Sequence, residues 1–282
     1  MIERLAVVGA GFMGSGIAET AAAAGVAVSL YEPEAAPLER SRERLRASLA
    51  RAVEGGKRTQ EEADALLERI THTSALDDLA AADAAVEAVY EDPRVKGEIF
   101  RELDARLPHA RFIASNTSSI PIAELAAHTD RPERVVGLHF FSPVPVMALV
   151  EVVVALESAP ETVAGAEAFA TQIGKQPIRT KDRAGFVVNA LLVPYLTAAV
   201  RMYEEGFASR EDIDTGMRLG CGHPMGPLTL CDFIGLDVLQ AVCDSLHEEF
   251  KQAQYAAPPL LKRMVVSGHL GRKSGRGFYE YG

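Results

Sequence analysis

His139 and Glu151 bracket the stretch LHFFSPVPVMALVE (Leu138–Glu151), the segment of the chain best suited to proton chemistry. The histidine closes a strand-like run, RVVGLHF (Arg134–Phe140). The glutamate opens a second, EVVVA (Glu151–Ala155). Pro143 and Pro145 between them forbid a helix and supply a stiff turn. A histidine and a carboxylate at the lips of neighbouring strands can meet as a hydrogen-bonded pair. The carboxylate then selects the imidazole tautomer, favours its cation and leaves the second ring nitrogen to exchange a proton. On these two residues alone, a histidine satisfied by backbone and a glutamate that merely starts an edge strand make the more ordinary reading, and the rest of the chain is what shifts it.

The N-terminal stretch supplies a second chemistry. Leu5–Val8 is an apolar strand, Gly9–Gly14 reads GAGFMG, Ser15–Ala24 is alanine-rich and helix-prone, and Val26–Tyr31 is a further strand followed by Glu32. Strand, G-x-G-x-x-G, helix, strand and then an acid is the dinucleotide fingerprint. Gly9 permits the tight turn, Gly11 lets the backbone approach a pyrophosphate, and Gly14 lets helix and strand pack closely. The helix N-terminus favours the anion. Glu32 is expected to hold the adenosine ribose hydroxyls and to repel a 2′-phosphate, which selects NAD over NADP.

The elements that position these residues follow an α/β rhythm with one interruption. Ala35–Glu54 and Thr59–Arg69 read as two charged helices separated by Gly55 and Gly56, a hairpin inserted between strands. Strands resume at Ile70–Thr73 and Ala84–Val89, helix Pro93–Leu107 follows, and strand Arg111–Ser115 leads into Asn116, Thr117, Ser118 and Ser119. Helix Pro121–His128, the strand before His139, helix Glu161–Ile173 and strand Pro177–Thr180 complete a doubly wound, mostly parallel, Rossmann-like sheet. Ligands of such sheets bind beyond the carboxyl ends of the strands, where Ser118 and His139 both fall. Taken alone, Ser118 reads equally well as turn chemistry or a helix cap.

Composition shifts around Lys181–Gly185. The expected division is residues 1–183 as the NAD-binding unit and residues 184–282 as an all-α unit for substrate and dimerisation. Helices are expected at Phe186–Glu204, Arg210–Leu219, Leu228–Phe250 and Pro259–Ser267. The first is apolar nearly all round, so it must be covered on several faces, and dimer contacts are a natural cover. Asn189 is its one early polar residue, placed either to make a core contact or to meet a substrate. Pro194 should kink it or displace its backbone bonds.

The remaining features exclude function classes. The chain has 282 residues, 48% hydrophobic and 24% charged, with a formal net charge of −10. That balance is of a globular protein with ample core, and repels nucleic acid and anionic membranes. No run approaches a membrane span, and no signal-peptide pattern opens the chain. Cys221, Cys231 and Cys243 read as core thiols of a cytoplasmic protein. His72, His109, His128, His223, His247 and His269 are scattered, so no metal site is expected. Arg272–Arg276 lacks the spacing of a Walker motif and reads as a packing loop.

Five stretches carry a resemblance: IASNTSS (Ile113–Ser119), LHFFSPVPVMALVE, DRAGFVVNALLVPYL (Asp182–Leu196), EDIDTGMRLGCGHPMGPL (Glu211–Leu228) and LGRKSGRGFYEY (Leu270–Tyr281). In order and spacing, from end to end, the chain resembles the short-chain L-3-hydroxyacyl-CoA dehydrogenases, the bacterial 3-hydroxybutyryl-CoA enzymes above all. The resemblance implies an acyl-CoA substrate of S configuration, beside the NAD expected from the fingerprint and the homodimer expected from the apolar helix. His139 would take the 3-hydroxyl proton, with Glu151 as its electrostatic partner. Ser118 and Asn189 would bind the reacting oxygen. Glu91 and Lys96 match positions near the nicotinamide ribose, and Asn116 counts with the cofactor contacts. Ser142 stands where many members have Asn, a shorter hold on the nicotinamide amide. Ser48 matches a position that meets coenzyme A. The family's phosphate-binding lysine aligns with Gly55, with Lys57 the nearest replacement. Two other readings stay open: a dehydrogenase of a non-CoA hydroxy acid or polyol on the same scaffold, and a catalytically silent NAD-binding protein.

Overall fold

A computed structural model describes all residues, Met1–Gly282. The chain divides into two compact units, Met1–Arg183 and Ala184–Gly282. The first holds strands β1 (Arg4–Val8), β2 (Ala27–Tyr31), β3 (Ile70–Thr73), β4 (Ala84–Glu87), β5 (Ile113–Ser115), β6 (Val135–Phe140), β7 (Leu149–Val154) and β8 (Gln176–Lys181). They form one sheet in the order β3-β2-β1-β4-β5-β6-β7-β8. Every pairing is parallel except β6 with β7. The doubly wound, mostly parallel sheet expected from the alternation of strand and helix is therefore what forms. The strand order turns back between β1 and β4, the switch point at which such sheets bind ligands. β1, β4 and β5 are short apolar runs buried almost throughout, as strands covered on both faces must be.

Helices α1 (Phe12–Ala23), α4 (Pro93–Arg106), α5 (Ile122–Ala126) and α6 (Pro160–Gln172) cover the sheet, and α2 (Ala35–Glu54) and α3 (Gln60–Glu68) pack on α1. Local chemistry sets their ends. α3 begins with a capping box in which Thr59 accepts from Glu62 N and Glu62 returns to Thr59 N. α4 begins at Pro93, with the Asp92 carboxylate accepting from Arg94 N at 2.8 Å. The α2–α3 hairpin lies where the sequence places it, between β2 and β3. It is tied to α1 by Ser41, whose hydroxyl meets that of Ser15 at 2.9 Å.

The second unit is helical: α7 (Val188–Glu204), α8 (Arg210–Cys221), α9 (Pro227–Ile234), α10 (Leu236–Phe250) and α11 (Pro259–Val266). Leu196, Leu228, Cys231, Leu236, Cys243 and Leu261 form its fully buried centre. Two expectations are corrected here. Leu228–Phe250 is two helices rather than one, because Gly235 adopts φ 101° and turns the chain between them. Cys221 is exposed at the end of α8 and is no core thiol, whereas Cys231 and Cys243 are buried. Burial pushes the Cys243 thiol up to about 12. α7 runs on through Pro194. The C-terminal loop does pack: the buried Asp232 carboxylate accepts from Phe278 N at 2.8 Å, Tyr279 N at 2.9 Å and the Tyr281 hydroxyl at 3.0 Å. No helix is long and apolar enough to cross a membrane.

Candidate active site

β6 and β7 pair antiparallel in a register that sets His139 directly opposite Glu151. Their side chains therefore leave the same face at close range. His139 Nδ1 lies 2.7 Å from Glu151 Oε2, with the histidine 7% exposed and the glutamate fully buried. A carboxylate facing the ring selects the tautomer in which Nδ1 is the donor and Nε2 is left for the substrate. The expected geometry needs one correction. β7 starts at Leu149, so Glu151 lies inside the strand rather than at its lip, and an interior position keeps it dry. The Phe141 ring stands edge-on to the imidazole with centroids 4.6 Å apart, which limits rotation of the ring.

The turn between these strands is held from both sides. Val144, 1% exposed, presses on α1 at Gly16, where an added Cβ would come within 2.9 Å of it. From the other side the largely buried Lys175 donates to the carbonyls of Val144 and, at 2.8 Å, Met147. The proline turn and the fingerprint helix are thus one packed piece. Ser142, on that turn, is exposed.

The fingerprint has the geometry a dinucleotide requires. Gly9 adopts φ 105° and lies so close to β4 that a Cβ would sit 2.5 Å from Ala88 O. At Gly14 a Cβ would collide with the Gly9 carbonyl at 1.8 Å. Gly11 faces open space, with nothing within 4 Å of such a Cβ. α1 has no side-chain cap and no acid in its first turn, which suits an anion. Glu32 follows β2, and its Oε2 accepts from Ala10 N at 3.2 Å, which brings the carboxylate to the edge of the same loop. These residues fit NAD.

A third cluster joins β4, β5 and α4, and the sequence pointed to only part of it. Lys96, 1% exposed, places its ammonium 2.6 Å from Glu87, 3.3 Å from Glu91 and 3.5 Å from Val89 O, three acceptors for three protons. Glu87 is fully buried and also accepts from Val89 N at 2.6 Å and Ser115 Oγ at 2.7 Å. Glu91 accepts from the Thr117 hydroxyl, from Ser118 N at 3.2 Å and from Ser119 Oγ at 2.9 Å. Burial would raise the Glu91 carboxyl, but Lys96 and the two hydroxyls outweigh it and hold it below the usual carboxylate range. Asn116 Oδ1 in turn accepts from Phe140 N at 3.0 Å, which ties the Ser118 loop to the residue beside His139. The clamp takes the N–H of Ser118 and not its hydroxyl.

The structure therefore brings Gly9, Gly11, Gly14, Glu91, Lys96, Asn116, Ser118, His139 and Glu151 to one rim of the sheet. Glu87, Ser115 and Thr117 were not singled out from sequence. The available signal was an acid in the otherwise apolar run AAVEAV. Ser48 and Lys57 lie apart, on the hairpin. The half-buried Ser48 hydroxyl donates to Glu19 of α1 at 3.0 Å, and Lys57 is exposed in the turn after α2. Asn189 lies half-buried in the first turn of α7, in the second unit.

Comparison with known proteins agrees with this arrangement. Residues 4–183 match the family model "3-hydroxyacyl-CoA dehydrogenase, NAD binding domain" and residues 185–281 match "3-hydroxyacyl-CoA dehydrogenase, C-terminal domain". The chain is 54% identical to the 3-hydroxybutyryl-CoA dehydrogenase of Mycobacterium tuberculosis, over 99% of each chain. Its fold is similar to the crystal structure of M. tuberculosis FadB2, with TM-score 0.98 at 54% identity over 100% of this chain and 99% of that one. It is also similar to the (S)-3-hydroxybutyryl-CoA dehydrogenase PaaH1 of Ralstonia eutropha, with TM-score 0.95 at 43% identity over the whole of both chains. A dinucleotide fingerprint, a histidine–glutamate pair on the adjoining hairpin and full-length identity above half all lead to one assignment: the chain belongs to the 3-hydroxyacyl-CoA dehydrogenase family.

Proposed function

We propose that the protein is an NAD-dependent (S)-3-hydroxyacyl-CoA dehydrogenase acting on 3-hydroxybutyryl-CoA, with His139 and Glu151 as its acid/base pair. The observation that carries the site assignment is the 2.7 Å contact between Nδ1 and a fully buried carboxylate. Gly9, Gly11, Gly14 and Glu32 would hold NAD, which would supply the hydride acceptor for C3 of the substrate. His139 takes the 3-hydroxyl proton through Nε2, and in the reverse direction returns it to the 3-keto oxygen. Glu151 holds the ring and offsets the charge that the imidazole gains. Ser118 hydrogen-bonds the reacting oxygen, a role for which the resemblance also names Asn189. Glu91 and Lys96 set the nicotinamide ribose edge, Asn116 and Ser142 the nicotinamide side, and Ser48 and Lys57 the coenzyme A side. Proton transfer of this kind contributes on the order of 10²–10⁴-fold in rate. NADH oxidation with 3-ketoacyl-CoA esters of increasing chain length, and with free acetoacetate, tests the reading. Acetoacetyl-CoA is expected to turn over and free acetoacetate is not. Equal turnover would favour a dehydrogenase of non-CoA substrates, and no turnover of any of them a silent NAD-binding protein.

Two expected results accompany this reading. The Glu32 carboxylate beside the fingerprint loop repels a 2′-phosphate, and such like-charge contacts cost several kcal/mol. kcat/KM for NADH should therefore exceed that for NADPH on the order of 10²-fold, and Glu32→Ala should narrow the gap. Equal values in the parent chain would remove Glu32 from cofactor choice. The second result concerns assembly. Leu191 is 73%, Phe207 78% and Leu219 76% exposed on the helical unit, where such apolar surface favours a partner. Sedimentation should give a homodimer at micromolar concentration, and Leu191→Glu should shift it toward monomer. A parent chain that sediments as a monomer defeats this assignment. A cytoplasmic setting completes the reading and suits three cysteines that remain free thiols.

A further inference from the structure

Arg44 projects from α2 onto the dinucleotide fingerprint. Its Nη1 donates to Ser15 Oγ at 2.8 Å, to Gly11 O at 3.2 Å and to Ala10 O at 3.4 Å. Its guanidinium carbon lies 6.0 Å from the centre of the Phe12 ring, the first residue of α1. The side chain is half-buried, and the charge that acts on it comes from another cation, Arg40. Burial first, and Arg40 second, pull its pKa down from the usual guanidinium value. A partly desolvated cation with no carboxylate to balance it is unfavourable until an anion arrives nearby. All three acceptors belong to the fingerprint loop and the first turn of α1, where Gly11 faces open space and no side chain caps the helix.

From this placement we infer that Arg44 is a cofactor-binding residue, which lends a positive charge to the diphosphate of the dinucleotide at the N-terminus of α1. The inference rests on the NAD reading above and adds to it a residue outside the fingerprint. The backbone N–H groups of α1 supply partial charges that fall off within a turn. Arg44 supplies a whole charge from the side, and its bonds to two loop carbonyls hold the loop in shape while it does so. Cation–π contact with Phe12 restrains the guanidinium further. A single charge at such range, in a partly dry site, changes affinity roughly tenfold. The effect is screened by salt.

The test separates charge from scaffold. Kd is measured for NADH by fluorescence, and for ADP-ribose and adenosine by displacement of NADH. Arg44→Met should weaken NADH and ADP-ribose about tenfold at low salt and leave adenosine, which has no diphosphate, within about twofold. Arg44→Lys should recover most of the loss, and the gap between parent and Arg44→Met should close as salt rises. Equal losses for ADP-ribose and adenosine would make Arg44 a structural tether of the hairpin and overturn the inference. Unchanged NADH binding with a raised KM for acetoacetyl-CoA would overturn it too, and assign the charge to coenzyme A. Urea unfolding of the ligand-free variants shows that each compared chain is folded. A parent chain that binds no NADH would defeat the NAD reading itself, a failure distinct from normal NADH binding by both parent and Arg44→Met.

Discussion

Glu151→Gln is expected to lower kcat by about 10²–10⁴-fold while the chain folds and binds NADH as before, because an ill-held base forfeits most of general-base catalysis. The substitution is nearly isosteric, so it tests charge and orientation rather than volume. Glutamine can face His139 Nδ1 in two ways. With its carbonyl oxygen toward the ring it keeps the tautomer and loses the charge that offsets the forming imidazolium. With its amide nitrogen toward the ring it donates, which moves the ring proton to Nε2 and blocks uptake of the substrate proton. Both outcomes strike the chemical step. His139→Gln should cost at least as much. The double variant should cost little more than either single one, because residues that act as a unit are not additive. Steady-state kinetics and NADH titration of the three variants supply the check. A near-normal Glu151→Gln, or losses that simply add, would separate the 2.7 Å pair from the chemistry.

The second large effect is on stability. Lys96→Met should destabilise the chain by about 3–5 kcal/mol, because it strands the fully buried Glu87 carboxylate without its cation. Glu87→Gln added to Lys96→Met should restore much of that loss, since removing both charges costs far less than removing one. Glu91 gives the prediction a pH dependence. Its pKa is depressed in the folded chain, so its stabilising contribution is present above the unfolded value and is lost as pH falls through the folded one. Without Lys96 that loss should begin at higher pH. Urea midpoints of parent, single and double variants between pH 7 and pH 4 test both parts. A cost below about 1 kcal/mol for Lys96→Met would show that the ammonium does not neutralise Glu87. The functional corollary is a lower kcat, because Glu91 holds the Ser118 loop by three contacts.

Much of this protein is legible in local sequence. The fingerprint glycines, the prolines of the turn between His139 and Glu151 and the Pro93 helix start all act over a few residues, and local spacing reveals them, whereas the Thr59 capping box emerged only with the structure. The alternation of apolar strands with helices was enough to place the sheet, the inserted hairpin and the helical second unit. It was not enough to count helices between Leu228 and Phe250, where the positive φ of Gly235 divides a continuous apolar pattern. Nor could periodicity tell that Cys221 faces solvent while Cys231 and Cys243 are buried.

Partnership was decided only in three dimensions. Proximity in sequence brings His139 and Glu151 near each other, but the antiparallel register of β6 and β7 makes them face to face, and a one-residue slip would put them on opposite faces. Glu87, Lys96, Ser115 and Glu91 come from two strand ends, a helix and a loop, and nothing in their spacing foretells one charge shared among them. Arg44 sits in an arginine-rich helix where its neighbours look alike in sequence. It meets the fingerprint because α2 crosses α1 with that one side chain pointing at Gly11 and Ser15. Helix and strand tendencies arise from each residue and its near neighbours. The pairing of buried charges depends on which strands align and how helices cross, and the whole chain must fold before that is settled.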